Sequence, residues 1–433
     1  MNLSSCYSGK ILRVDLSTGT HAYIDTSRYA ERFLGGRGIA TAIYRDEVLP
    51  ETGALDPENR LIFSLGPLAG IKSGIGGSRW GIFAKSPFPK RDHFCYGNLG
   101  GFFGAELKFA GFDGLVVQGR AEMPVILYID DDNVEVRPAG KLWGKSTVET
   151  MEYLQGQGWK PAVIGPAGEN LVPLATVFAD GDASCSGGMG AVMGSKNLKA
   201  LAVRGYRREP GVADRQRLRD LQQEIKSFGR GNVKVWGLDF MAHGANTKKM
   251  PCYGCMASCL RVRYTAENGE SGKFMCQSRF FYMQHAWGYY NEENDVPFLA
   301  NRICDEYGID TWQVQLLIEW LLRCHSEGII SVQESGLPLE KVGSLEFIEA
   351  LVKKTALREG FGEALAAGAE KAAGRRGKEA NNLFSFNDPY DPRYCTVNIM
   401  LLPFETREPI QQLHEAGLVL SQWSSWAKGV EEA

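Results

Sequence analysis

Two spacings of apolar residues divide this chain. Through residue 206, short β-branched and aromatic runs (KILRVDL, RLIFSL, WGIFAK, GLVVQG, VILYID, VEVRP, PAVIGP and ALAVRG) alternate with turn residues and predict strands. Beyond it, apolar positions fall three and four apart in DRQRLRDLQQEIKSF, VPFLANRICDEYG, WQVQLLIEWLLRCHSEG, SLEFIEALVKKTALREG and GEALAAGAEKAAGRRG, the spacing of one helix face. The expected fold class is α+β: a β-rich domain over residues 1–206, then a mainly α-helical region over 207–433. The charged RREPG segment at 207–211 marks the expected boundary. No internal repeat is visible, and the alanine-rich stretch 364–380 reads as a surface helix.

With 433 residues, 44% of them hydrophobic, the chain is long enough to bury a large core in two or three domains. A net charge of −3 without any basic block gives nucleic acid and anionic membranes little to hold, so neither is an expected partner. The apolar stretch VQLLIEWLL at 314–322 is too short for a membrane span and contains Glu319. MNLSSCYSGK lacks the charged-then-apolar pattern of an export signal. Ten cysteines in such a chain predict a cytoplasmic, reducing location and metal binding in preference to disulfides.

Three of those cysteines, Cys252, Cys255 and Cys259, stand together in CYGCMASC. A CxxCxxxC run can ligate three irons of a cubane cluster, with a fourth ligand from elsewhere, and points to electron transfer. Structural zinc usually adds a second cysteine or histidine pair, which this sequence lacks. The order is also the reverse of the CxxxCxxC usual in radical enzymes that cleave S-adenosylmethionine. The spacing favours an iron–sulfur cluster, with zinc or plain buried thiols as the alternatives. Cys304 and Cys324 fall inside helix patterns and read as buried.

Residues 1–206 hold 31 of the 51 glycines, a bias that suits a turn-rich β domain. Three clusters stand out: SGIGGSRWG at 73–81, YGNLGGFFGAEL at 96–107 and DGDASCSGGMGAVMGSK at 180–196. Such loops let backbone amides approach an anionic ligand, and Arg79 is a candidate phosphate partner through its fork of donors. None matches GxGxxG between strand and helix or the GxxxxGK of a P-loop, which disfavours a dinucleotide. The plain alternative is that these glycines are turns and Arg79 a surface residue.

The segments GKILRVDLSTG, FLGGRG, LIFSLGPLAG, GNLGGFFGAELKFAGFDGLVVQG, PAGEN and GGMGAVMGSKNLKALAVRG, followed in order by CYGCMASC and EYGIDT, resemble the aldehyde ferredoxin oxidoreductase family. The resemblance runs from about residue 8 to about residue 330 and continues more weakly beyond. It implies tungsten, less often molybdenum, held by two pterin dithiolenes beside a [4Fe-4S] cluster. It further implies an N-terminal domain of two packed sheets that cradles the pterins, and a ferredoxin or iron–sulfur subunit as electron partner. By the same resemblance Arg79, Asn98, Gly100, Ala183 and Asp310 would contact pterin or its phosphate, and Cys252, Cys255 and Cys259 would hold the cluster. Read by itself, Asp310 is equally the N-cap of the helix TWQVQLLIEWLL.

Two departures from the aldehyde oxidisers bear on chemistry. The third glycine loop has Asp182 and Ser186 where they carry arginines, and GKFMCQSRFFYM replaces their acidic motif after the cluster cysteines. In this the chain looks more like the catalytic subunit of class II benzoyl-CoA reductases, whose matching cysteine implies Cys276 as a tungsten ligand. A buried packing cysteine is the alternative for Cys276. His285 and His243 are candidate proton donors, though each is more often structural. The resemblance also implies a third domain carrying a fourth cluster cysteine and a second pterin loop. Here the sequence stops at WSSWAKGVEEA, so that domain is expected to be incomplete. The expected function is a tungsten-pterin iron–sulfur oxidoreductase acting on an aldehyde. The alternatives are an aromatic acyl-CoA reductase, or an inactive or purely electron-transferring chain; an oligomer is allowed.

Overall fold

The computed structural model describes residues 5–72, 77, 79–88, 91–180, 183–207, 209–227, 246–255, 261–274, 277–385, 399–400 and 405–407. The first sheet contains β1 (Lys10–Asp15), β2 (Thr20–Asp25), β3 (Leu61–Leu65), β4 (Trp80–Ser86), β5 (His93–Leu99) and β6 (Gly114–Gln118), in the order β2-β1-β6-β3-β4-β5. The second contains β7 (Val125–Asp130), β8 (Asn133–Pro138), β9 (Lys160–Val163), β10 (Val177–Ala179), β11 (Ala183–Cys185) and β12 (Leu198–Arg204), in the order β11-β10-β9-β12-β7-β8. Each sheet is mixed, with one parallel pair, β1 with β6 and β7 with β12.

The two sheets share one core. Leu12, Val14, Phe63, Ile82 and Leu115 from the first meet Leu127, Ile129, Val177, Leu201 and Val203 from the second, all essentially inaccessible to solvent. The outer faces are covered as well. Ile11, Ile62, Phe83 and Val116 pack under the helices Ser27–Phe33 and Arg37–Glu47, while Ile126, Val163 and Ala200 pack under the helix Thr147–Gln155. Burial on both faces explains why LIFSL and GLVVQG read as continuous apolar runs without alternation.

The second half is helical, as the spacing predicts. Helices Val296–Tyr307, Thr311–Ser326 and Leu345–Leu357 close over a separate core that includes Trp320, Phe281, Phe347 and Leu351. The predicted helix at 362–377 is interrupted: Gly368 takes a φ of 90° and separates Gly362–Leu365 from Ala369–Arg376. The strands β2, β5, β10 and β11, and the helices of the front half, were not read from the pattern.

Buried charges tie distant segments of the first half together. The Asp113 carboxylate accepts from Ser8 N at 3.0 Å, Gly9 N at 2.8 Å and Thr26 Oγ1 at 2.7 Å, and it pairs with the inaccessible ammonium of Lys108. Lys85 donates to the carbonyls of Leu49, Pro50 and Thr52 at 2.7–3.2 Å, and Lys196 to those of Pro57, Asn59 and Gly119 at 2.7–3.3 Å. Removing one partner of a buried pair strands the other, at a cost of about 3–5 kcal/mol. Asp113→Ala is therefore expected to lower urea-unfolding stability by about that amount, and the double variant Lys108→Met/Asp113→Leu by clearly less. Equal losses in the two would show that the pairing itself contributes nothing.

Candidate functional site

Three glycines stand at the end of strand β5 and just beyond it, and three other parts of the chain press against them. A Cβ on Gly97 would run into Cys185 Sγ of β11, and one on Gly101 into the Asp180 carboxylate. A Cβ on Gly100 would stand 2.6 Å from Cys252 Sγ. Gly101 also needs its φ of 90°, which a residue with a Cβ rarely adopts. Asp180 Oδ2 accepts from Phe102 N at 2.7 Å and Phe103 N at 2.9 Å, which fixes the turn into the helix Phe103–Phe109. The second cluster, expected as a glycine loop, is thus mostly a strand and a helix, and only residues 100–102 turn.

The cysteines arrive on a hairpin. Strands β13 (Thr247–Lys249), β14 (Val262–Thr265) and β15 (Ser271–Lys273) form a small antiparallel sheet, and the connection from β13 to β14 carries Cys252 and Cys255. Met250 N donates to Arg261 O at 3.0 Å and closes the base of the loop. Tyr253 N donates to Gly101 O at 3.1 Å, and the Tyr253 ring packs edge-on to Phe102 and Phe109. Gly254, at a φ of 65°, lies so close to Ile71 O that a side chain there would collide. Cys255 N donates to Cys252 O at 3.1 Å, a tight turn that keeps the two cysteines together. The guanidinium of Arg261, 5% exposed, donates from Nη1 to Cys252 Sγ at 2.9 Å. Cys259, Cys276 and His243 lie outside the described residues.

Asp310 marks the helical side. It is the N-cap of Thr311–Ser326, with Oδ1 accepting from Trp312 N at 2.9 Å. Its backbone amide donates to Leu174 O at 3.0 Å, which stitches this helix start to the chain leading into β10. Among the described residues the other oxygen, Oδ2, is buried with no hydrogen-bond partner of ordinary geometry. Burial pushes the carboxyl pKa up; Ser186, the amides of Trp312 and Gln313, and Arg407 pull it back only in part. Close by, the buried Lys273 ammonium bonds Asp305 Oδ1 at 2.9 Å and Ser184 Oγ at 3.1 Å, linking β15, the helix Val296–Tyr307 and β11.

The other expected residues fall as follows. Arg79 is exposed and directly precedes β4; since Trp80 pairs with Leu99 and Gly81 with Asn98, it lies level with Gly100 at the same strand ends. Asn98 is half-buried on β5, and Ala183 pairs with Ala179 at the edge of the second sheet. Arg79, Asn98, Gly100 and Cys252 thus share one end of the first sheet, with Ala183 on the neighbouring edge strand. His285 lies on the helix Met283–Tyr290, its ring 5.9 Å from that of Tyr282, and Gly343 sits against its backbone carbonyl. Sequence reading missed Arg261 and Lys273, and also Tyr96, whose hydroxyl donates to Glu405 at 2.8 Å beneath an Arg37 guanidinium 4.0 Å from its ring. The one available signal was a cation two positions after the cysteine run.

Among the described residues no group of three or more His, Cys, Asp or Glu side chains is placed to hold a metal ion. Cys252 and Cys255, the described cysteines of the run, are soft donors beside the Gly100 end of β5, and the third, Cys259, lies outside the described residues. Cys304 and Cys324 are buried, as expected, and the described cysteines are free thiols. Among the described residues no helix is long and apolar enough to cross a membrane.

Comparison with known proteins defines the class. The N-terminal domain of aldehyde ferredoxin oxidoreductase matches residues 11–205, and domains 2 and 3 of the same enzymes match residues 182–398. The chain belongs to the aldehyde ferredoxin oxidoreductase family, an oxidoreductase family. The tungsten-containing aldehyde ferredoxin oxidoreductase of Pyrococcus horikoshii is 35% identical over 415 residues, covering 85% of this chain and 67% of the relative. That of Pyrococcus furiosus is 34% identical over 414 residues, with 84% and 66% covered. A solved structure, the active site complex BamBC of benzoyl coenzyme A reductase with 1,5 dienoyl-CoA, superposes with a TM-score of 0.77 at 28% identity. It covers 88% of this chain and 64% of its own, so this chain spans about two thirds of the proteins it matches.

A buried carboxyl with a raised pKa destabilises the fold where it is ionised and stops doing so once protonated. Its contribution is favourable below the unfolded-state pKa and is lost as pH rises through the folded-state value. Asp310→Asn keeps a good N-cap and removes the buried charge. In the cofactor-free protein the variant is expected to be more stable than the wild type at pH 7 by about 1–3 kcal/mol. The gain should vanish below the ordinary aspartate range in denaturant titrations; an equal gain at every pH would remove ionisation as its cause.

Proposed function

We propose that this chain is a tungsten-pterin iron–sulfur oxidoreductase that oxidises an aldehyde and passes the electrons to ferredoxin. The observation that carries the reading is the seating of the Cys252 thiol against Gly100, at the end of the strand that bears Asn98. Cys252, Cys255 and Cys259 hold a [4Fe-4S] cluster there, with a fourth ligand from elsewhere. Asn98, Gly100 and the backbone at Ala183 face the pterins, Arg79 takes a phosphate through its fork of donors, and Asp310 Oδ2 accepts from a pterin N–H. The β-rich unit, residues 1–206, is the pterin-binding domain. When bound, tungsten-pterin supplies two-electron chemistry at the substrate and the cluster supplies one-electron steps to the partner. The protein's part is to present the ligands of both groups from one end of the first sheet and to keep the cysteine hairpin anchored to residues 100–101. Ten cysteines fit a reducing cytoplasm.

A second reading, reduction of an aromatic acyl-CoA, is favoured by the superposition on the benzoyl coenzyme A reductase complex and by Cys276 in GKFMCQ. In it Cys276 is a thiolate ligand of tungsten and the electron donor is an iron–sulfur subunit.

Anaerobically purified protein is expected to carry about four irons per chain, together with tungsten or molybdenum, and to reduce a viologen dye with an aldehyde. Absence of both metals overturns both readings. Cys276→Ala is expected to lose tungsten while keeping iron; unchanged tungsten content removes Cys276 from the ligand set. Turnover of aromatic acyl-CoA without aldehyde oxidation would select the second reading.

A further inference from the structure

The triplet CYGCMASC is followed by Leu260 and then Arg261, and nothing in the role proposed for the cysteines calls for a cation there. Yet Arg261 is 5% exposed, and a buried guanidinium keeps its charge, so it must be matched by a group that accepts from it. Its Nη1 donates to Cys252 Sγ at 2.9 Å. The contact is preorganised from both sides. On one, Met250 N donates to Arg261 O at 3.0 Å and Arg261 directly precedes β14, so its backbone is held at the root of the hairpin. On the other, Gly100 offers no side chain: a Cβ would come within 2.6 Å of Cys252 Sγ and 3.6 Å of Arg261 Nη1. Gly100 O is held in turn by Trp80 Nε1 at 3.0 Å. Thiol, guanidinium and strand end therefore form one packed unit.

We propose that Arg261 is a positioning residue that acts through Cys252 to raise the reduction potential of the cluster bound there. The inference rests on the cluster reading above. The step concerned is a one-electron reduction: an electron from a low-potential carrier enters the cluster, its net charge becomes more negative by one, and no bond breaks. A fixed positive charge donating a hydrogen bond to a ligating sulfur stabilises the reduced state more than the oxidised one, because the sulfur carries more negative charge after reduction. Arginine does not lose its proton in the working pH range, so the effect requires no proton uptake and is independent of pH. Burial strengthens it, since the charge is little screened at that depth. Lysine is a poor substitute: its ammonium is a point charge without the planar fork that reaches Sγ from the base of the hairpin.

The test is a mediated redox titration of the anaerobic holoprotein, followed by electron paramagnetic resonance of the reduced cluster, with iron content and thermal melting as controls. Wild type, Arg261→Gln and Arg261→Met are compared. Arg261→Gln keeps a neutral donor and loses the charge; Arg261→Met loses both. The expected result is iron content near wild type and a reduction equilibrium at least tenfold less favourable in both variants, a downward shift of about 59 mV or more for one electron. The same shift should be found at pH 6.5 and pH 8.5. Unchanged potentials at full iron content overturn the proposal and leave the cluster standing. Loss of iron from both variants with unchanged melting assigns Arg261 to cluster retention and also overturns it. A wild-type protein without iron or a cluster signal defeats the cluster reading itself, a result distinct from either.

Discussion

Three glycines, Gly97 in β5 and Gly100 and Gly101 just past its end, set the constraint on which this region depends. Gly97, Gly100 and Gly101 face Cys185, Cys252 and Asp180, which belong to the second sheet, the cysteine hairpin and the turn before β11. Any Cβ at these positions would force one of the three away. β5 is an edge strand of the first sheet and β11 an edge strand of the second, so two edges that would otherwise expose unpaired backbone are brought together. The same close approach that closes the fold also seats Cys252. Structure and function therefore use one set of glycines, and neither can be altered there alone.

Much of the fold was legible because each half follows a single spacing. Runs buried on both faces, such as those of β3 and β6, announce themselves through continuous apolar residues, and the helices beyond residue 206 through three-and-four spacing. β5 was hidden because HFCYGNL contains a glycine and an asparagine, both poor strand formers, and is stabilised instead by pairing with β4 and by burial of Cys95 and Tyr96. β2 was hidden for the opposite reason: THAYID lies largely exposed and its register comes from β1. Gly368 looked harmless in an alanine-rich run, and only its backbone conformation breaks the helix.

The site was legible as motifs and not as geometry. Ordered glycine segments and a cysteine run identified the family, but their spacing along the chain says nothing about Gly100 meeting Cys252 across 152 positions. Lys273 carried no signature and Arg261 only its place two positions after the cysteine run, since a single cation is usually a surface residue and only burial makes it informative. Of the two readings of Asp310, the N-cap is the one observed. As an N-cap it spends one oxygen on Trp312 N, and the second oxygen is left over for another partner.

Arg261 and Asp310 are buried groups of opposite sign, and their energetics differ. Arg261 is a permanent cation with a partner already in place, so its burial is compensated within the hairpin. Asp310 is an acid whose environment disfavours ionisation and whose second oxygen lacks a hydrogen bond. A donor brought to Asp310 would offset the cost of burying its carboxyl, and added negative charge on Cys252 Sγ would strengthen the bond Arg261 already makes. Asp310 therefore costs stability while it is ionised and gains from protonation or from a new donor, whereas the charge on Arg261 is fixed and its contact with Cys252 is already made.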